Sequence, residues 1–294
     1  MPGWDDILGE VNSVKSSLDI VRHKYLERLH SITGRNVVAY YSGWLKKPGM
    51  PFSDINDSDM TGFMNAVKGL DCSKGLDLIL HTPGGSPAAT EAIVNYLRIK
   101  FNNDIRVIVP QLAMSAGTML ACSAKSIVMG KQSSLGPIDP QFNGIPAYNI
   151  KEEFEEAKKD LANNQSNFAY WKLKLEKYPA AFLKTALDAI ELSDELLKNW
   201  LGTCMFDSKK DASKIKAICQ ELNEHSNSKS HGRHIGVQRC AEIGLKIELM
   251  EDTPELQDAI LSLHHAYCIT LDATDSIKII ENHNGMAMVS HTRK

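Results

Sequence analysis

The sequence predicts an α/β fold built on a parallel sheet covered on both faces. Three observations point there. Leu76–His81, Ile105–Val109 and Ser126–Met129 are short runs with apolar residues on both faces, the pattern of strands buried from either side. Helical patterns at Ala88–Phe101 and Ser115–Ala124 separate these strands, as crossovers between parallel neighbours require. With 294 residues, 43% of them hydrophobic and 23% charged, the chain has the balance of a globular protein that can bury a core.

The remaining elements follow in order. Apolar residues at Trp4, Ile7, Val11, Val14, Leu18, Val21, Tyr25 and Ile32 recur at helical spacing and predict one long amphipathic helix, whose stripe packs on the chain's own body or on a neighbouring subunit. Gly34 punctuates the chain before the β-rich run Val37–Tyr41. A turn-rich stretch with Pro48 and Pro51 precedes a helix carrying Met60, Phe63, Met64 and Val67, for which Asp57 or Ser58 is the expected cap. Beyond Pro146 the pattern turns helical, with helices expected over Lys151–Lys177, Ala180–Ile190, Asp194–Trp200 and Lys209–Leu222, the last capped by Ser208. His225–Arg233 reads as a polar loop. Val237–Ile243 is a short helix stopped by Gly244 before a strand, Leu245–Leu249. Thr253-Pro254-Glu255 opens another helix with a cap and a proline at its first position. Ser276–Glu281 and Met286–His291 flank Asn284-Gly285, the signature of a β-hairpin. The expected organisation is an N-terminal arm (1–33), a core (34–150), a helical region (151–224) and a segment that completes the core and ends in the hairpin (225–294).

Composition excludes several function classes. Lys+Arg 33 against Asp+Glu 36 leaves a net charge of -3, so no global field draws nucleic acid or an anionic membrane. No apolar run reaches the ~18 residues of a transmembrane helix, and Met1–Leu8 lacks the build of a signal peptide, so a soluble, unexported, cytoplasmic protein is expected. The six cysteines are scattered without a C-x-x-C pair, as suits buried free thiols in a reducing compartment, and no metal site is expected.

Two segments place glycine and a small polar residue where a buried strand ends. In His81-Thr82-Pro83-Gly84-Gly85-Ser86, paired glycines let backbone N–H groups approach a reacting atom, although a plain strand-to-helix turn has the same look. It is no phosphate loop, because it lacks the G-x-x-x-x-G-K-[ST] lysine and hydroxyl. In Val109–Thr118, Ser115 stands where a helix begins after a strand. There the free N–H groups stabilise a developing anion, yet a helix N-cap serine occupies the same place.

Together the two segments carry a resemblance. A strand, Thr82-Pro83-Gly84-Gly85-Ser86 and then Ala113-Met114-Ser115-Ala116-Gly117 resemble the clan of the Clp protease proteolytic subunit and signal peptide peptidase A, which shares its fold with the crotonases. More closely, Gly34-Arg35-Asn36, Tyr40-Tyr41-Ser42-Gly43-Trp44, Leu76–Gly85, Met114–Met119 and Leu135-Gly136-Pro137-Ile138-Asp139-Pro140-Gln141 resemble the serine dehydrogenase proteinase family. These motifs span about residues 30–150, with weaker similarity to about residue 290.

The resemblance implies a Clp/crotonase-type core, acyl transfer to Ser115, and an oxyanion hole made by the N–H groups of Gly85 and Ala116. It also implies a homo-oligomer, for which the N-terminal stripe supplies a surface, a peptide or protein substrate and no cofactor. The base needs separate argument, because a serine needs a partner for its proton. Where the Clp-type enzyme has its histidine, this chain has Pro137-Ile138-Asp139-Pro140. Lys151, the nearest candidate for the lysine that signal peptide peptidase A uses, sits among Glu152, Glu153, Glu155 and Glu156, which favour its charged form. Ala241-Glu242-Ile243-Gly244-Leu245 resembles the clan's helix-to-strand segment, and the position of the Clp-type triad aspartate then falls at Gly232, beside His231. Histidine and aspartate are therefore expected to have exchanged places: His231 as base, oriented by Asp139, with His234 in reserve. His225, His231 and His234 equally suit a polar loop. His81 and Gly84 are candidate substrate contacts, His81 alternatively a structural histidine. Two other readings stay open: a catalytically silent oligomeric scaffold, and a crotonase-like acyl-CoA enzyme, against which a serine at 115 argues.

Overall fold

The computed structural model describes residues 4–13, 18–223 and 230–292. In chain order its elements are α1 (Trp4–Ser13), α2 (Leu18–Thr33), β1 (Asn36–Ser42), α3 (Asp59–Val67), β2 (Leu76–His81), α4 (Pro87–Phe101), β3 (Ile105–Val109), β4 (Leu112–Ala113), α5 (Ala116–Cys122), β5 (Ser126–Met129), β6 (Ser134–Leu135), β7 (Gln141–Phe142), β8 (Ile145–Pro146), α6 (Ala147–Asn163), α7 (Phe168–Leu175), α8 (Phe182–Trp200), α9 (Ala212–Asn223), β9 (Ile235–Gly236), α10 (Val237–Glu242), β10 (Ile247–Leu249), α11 (Pro254–Ala273), β11 (Ser276–Asn282) and β12 (Ala287–His291).

The main sheet has the order β10-β5-β3-β2-β1-β11-β12. The first five strands of that order are mutually parallel, and the C-terminal hairpin adds β11 and β12 antiparallel. Side chains alternate between two cores because both faces are covered. Val38, Tyr40, Leu78, Leu80, Val107, Val109, Ile127 and Met129 join one core with residues of α3, α4, α5, α8 and α9. Val37, Ala39, Tyr41, Ile79, Ile108 and Val128 join the other with α1, α2 and α11. This mixed α/β architecture is the one that the apolar runs predict.

The expected single N-terminal helix is two helices. Glu10 accepts hydrogen bonds from Lys24 Nζ (2.5 Å) and Tyr25 Oη (2.8 Å). A continuous helix would hold those residues about 21 Å apart, so α1 folds back on α2. Ile7, Val21 and Tyr25 of the stripe are buried with α11 of the same chain, which takes these residues out of any surface offered to a neighbouring subunit. Val14 lies outside the described residues.

Four other expectations are corrected. Neither Asp57 nor Ser58 caps α3 with its side chain; Asn56 Oδ1 instead accepts the Ser58 N–H in a local turn. The helix expected over 151–177 breaks after Asn163, because the Asn164 carboxamide oxygen takes the Ser166 N–H and hydroxyl and competes with the helical ladder. Conversely, 182–200 is one helix that keeps Ser193 buried inside it, and Asp207, not Ser208, binds the N–H groups of Lys209 and Lys210 before α9.

At the amino end of the sheet, Asp77 is fully buried and receives Arg35 Nε (2.8 Å) and Arg106 Nη2 (2.8 Å). Both guanidiniums keep a second carboxylate, Asp104 and Glu248 respectively. Asp77→Ala is therefore expected to cost about 3 kcal/mol, the lower end for breaking a buried pair. Urea denaturation reads this, and a loss below about 1 kcal/mol would contradict it.

Among the described residues no helix is long and apolar enough to cross a membrane. The six cysteines are free thiols, of which Cys122, Cys219 and Cys240 are buried and Cys72, Cys204 and Cys268 half-buried.

Candidate active site

The site forms where β2 and β4 end side by side. Thr82 donates its N–H to Leu112 O (3.1 Å) and accepts that of Met114 (3.0 Å), so the chain reaching Ser115 is stitched to the chain reaching Gly84. Ser115 follows directly and precedes α5. Its backbone has φ 51 and ψ -118, and its side chain makes no capping hydrogen bond. Ser86, one helix earlier, shows the contrast: with φ -68 and ψ 121 it accepts the Ala89 N–H as an ordinary N-cap. A positive φ on a non-glycine residue costs on the order of 1–3 kcal/mol and persists only where its surroundings enforce it. Here the turn withdraws the hydroxyl from capping and leaves it to line a cleft.

Glycine is required beside that turn. A Cβ on Gly84, at φ +97, would lie 2.6 Å from Met114 O and 2.7 Å from Ser115 Cβ. Ile55 takes the Gly84 carbonyl (2.7 Å) and the Ser86 N–H (2.8 Å), so the N–H of Gly85 between them points to the opposite edge. Ala116 is the first residue of α5, and its N–H has no acceptor within the helix. Gly85, Ser115 and Ala116 line the same cleft of about 390 Å³, with Asp54, Pro83, Pro87, Met119, Ile138, Phe142 and His231 among its walls.

A second, three-stranded sheet, β4-β6-β9, brings in the acid and the imidazole. Its β6 runs antiparallel to β9, with Ser134 opposite Gly236 and Leu135 opposite Ile235. Beyond these pairs the two chains bring Asp139 and His231 together. The ring meets it there: His231 Nδ1 is 2.7 Å from Asp139 Oδ1. The Asp139 carboxylate is fully buried, and Gln141 Nε2 donates to its other oxygen at 2.8 Å. With Nδ1 held by the carboxylate, Nε2 is the ring nitrogen left for a hydroxyl. The Thr118 hydroxyl accepts the Gly136 N–H (2.9 Å) and ties α5 to the chain leading to Asp139.

The family follows from the sequence. The sequence profile of ClpP-like SDH-type serine proteinases matches residues 13–280. The chain belongs to that family. Within its reach are two similar proteins of Methanocaldococcus jannaschii, both described as uncharacterized: MJ0137, 29% identical over 253 residues (84% of this chain, 79% of that protein), and MJ1495, 26% identical over 266 residues (84% and 83%).

Other candidates of this family member lie apart from the cleft. His234 is exposed, and Lys151 lies on α6 within 4.0 Å of Glu155; neither lines the cleft. His225 lies outside the described residues. Gly84 lines the cleft, but His81, three residues before it, faces the other side of the sheet, where it packs on Trp44, Tyr41 and His264, so it is not brought together with Ser115. Burial, reinforced by His264, holds its imidazole well below the usual range. Burial also takes His264 from 6.5 down to about 3. Unfolding lets such histidines bind protons that the fold refuses, so stability is held above pH 6.5 and lost as pH falls toward about 3. His264→Gln is expected to flatten that acid dependence in thermal melts between pH 7 and 4; an unchanged slope would contradict it.

Sequence reasoning missed the roles of Gln141 and Thr118. Gln141 stood inside a quoted motif, two residues after Asp139, but only the fold reveals which carboxylate oxygen it serves.

Proposed function

We propose that this chain is a serine peptidase in which Ser115 is the nucleophile, His231 the general base, Asp139 its orienting carboxylate, and Gly85 and Ala116 the oxyanion donors. The observation that carries the reading is the strained, uncapped Ser115 sharing one cleft with an imidazole whose Nδ1 is already engaged by a buried carboxylate. His231 Nε2 takes the proton as Ser115 Oγ attacks the scissile carbonyl carbon. Negative charge then gathers on the carbonyl oxygen, where the two N–H groups hold it. Collapse breaks the C–N bond, and the imidazolium hands its proton to the departing amine. Water, deprotonated by the same ring, releases the acyl group and restores the serine.

The apolar walls, Met119, Ile138 and Phe142, favour substrates that bring an apolar side chain to the cleft. A homo-oligomer, which encloses such clefts, belongs to the same proposal; analytical ultracentrifugation of the purified chain tests it, and a monomer at micromolar concentration overturns it.

The experiment for the activity is degradation of an unstructured protein such as casein. Release of acid-soluble peptides by the wild type but not by Ser115→Ala is the expected result. Release by neither would favour the silent scaffold, equal release by both would remove Ser115 from the chemistry, and tight binding of coenzyme A would favour the acyl-CoA reading.

A further inference from the structure

The segment Asp54-Ile55-Asn56 lies between the oxyanion glycines and a buried ion pair. On one side, Ile55 N–H and C=O bind Gly84 O (2.7 Å) and Ser86 N (2.8 Å), the two groups that flank Gly85. On the other, the carbonyl of Asp54 accepts Lys278 Nζ (2.5 Å), and the N–H of Asn56 donates to Asp59 Oδ2 (3.1 Å). Lys278 Nζ also meets Asp59 Oδ1 at 2.7 Å, and Tyr40 Oη donates to Asp59 Oδ2 at 2.8 Å. Lys278 and Asp59 are each about 1% exposed. Backbone groups of an extended segment alternate in direction, so residues 54 and 56 face the ion pair while residue 55 faces the glycines. The approach is close: a Cβ on Gly85 would lie 2.3 Å from Ile55 O.

We infer that Lys278, on the C-terminal strand β11, is a positioning residue for the oxyanion hole: with Asp59 it fixes Asp54-Ile55-Asn56, and through Ile55 it sets where the Gly85 N–H points. The inference rests on the reading of Gly85 as an oxyanion donor. A buried charge of this kind is poor value as stability, because two apolar residues of similar volume hold a core as well. What the ammonium supplies here is a directed donor to one main-chain carbonyl and an anchor for the carboxylate that holds the next N–H.

Lys278→Met, Lys278→Arg and the paired replacement Lys278→Met with Asp59→Leu test it, the last removing both charges at once so that a folded protein is obtained even if the single variant fails. Residue-resolved amide hydrogen exchange and the second-order rate of fluorophosphonate labelling at Ser115 are read on each. The expected result is lost protection at the Ile55 and Ser86 amides with Val107–Val109 unchanged. Labelling falls about 10²-fold, the scale of a misplaced catalytic group, KM for a peptide stays within about twofold, and Lys278→Arg recovers part of the rate. Unchanged protection at Ile55 and Ser86 overturns the inference, as does lost protection with an unchanged labelling rate. Exchange is read whether or not Ser115 labels, so a wild type that never labels overturns the peptidase reading while the exchange result still judges the clamp.

Discussion

Ser115→Ala is expected to abolish hydrolysis, with a loss in kcat of about 10⁴-fold or more, because it removes the hydroxyl that forms the acyl-enzyme. The variant should fold. Alanine at φ 51 bears the same Cβ strain as serine, and the side chain that is lost made no capping bond whose removal would weaken α5. Its melting temperature should therefore match the wild type within a few degrees. Steady-state hydrolysis and a thermal melt on one preparation check both halves. Residual activity within tenfold of the wild type would remove Ser115 from the chemistry.

The second large effect is expected at the imidazole. His231→Ala removes the proton acceptor, and a loss of about 10⁴-fold in kcat is expected at neutral pH. Asp139→Asn is the finer test. The carboxamide can present its N–H₂ where Oδ1 now accepts, which turns the ring to the tautomer with Nδ1 unprotonated and Nε2 protonated, and so unable to accept from Ser115. Its loss should approach that of His231→Ala although the ring is still present. Because Gln141 already donates to the other oxygen at 2.8 Å, the carboxylate has little freedom to turn away. Steady-state hydrolysis by the three proteins at neutral pH checks both losses. Full activity in His231→Ala, with loss in Lys151→Ala, would transfer the base to the lysine.

Much of the fold was readable because the central strands are buried on both faces. Leu76–His81 is buried at every residue and carries apolar residues on both faces around Asp77, and the punctuating residues around it mark its ends. What the sequence concealed are features without periodicity. The strands β4, β6 and β9 are two residues each, too short to alternate, yet they mount Ser115, Asp139 and His231. The return of α1 on α2 depends on Glu10 finding Lys24 and Tyr25, a tertiary choice that a continuous helical spacing masks. Local hydrogen bonding by Asn164 broke one expected helix, and tertiary burial of Ser193 joined two others.

The candidate site divides in the same way. Gly84 and Gly85 were legible because their residue types are dictated by close backbone approach, and Ser115 because it stands where a helix begins after a strand. The pairing of His231 with Asp139 was reachable only by supposing two positions exchanged, because it is made by irregular chain beyond the two-residue strands β6 and β9. Lys278 gave no signal at all: in Ser276–Asn282 it looks like a polar residue alternating with apolar ones, and only a sheet covered on both faces buries it.

The most direct test of the central claim is fluorophosphonate labelling at neutral pH, with the adduct located by peptide mass spectrometry, in the wild type beside His231→Ala and Lys151→Ala. The account predicts one adduct, on Ser115, that forms in the wild type and in Lys151→Ala and fails to form in His231→Ala. A folded wild type that carries no adduct on Ser115, or an adduct that persists undiminished without His231, would contradict it.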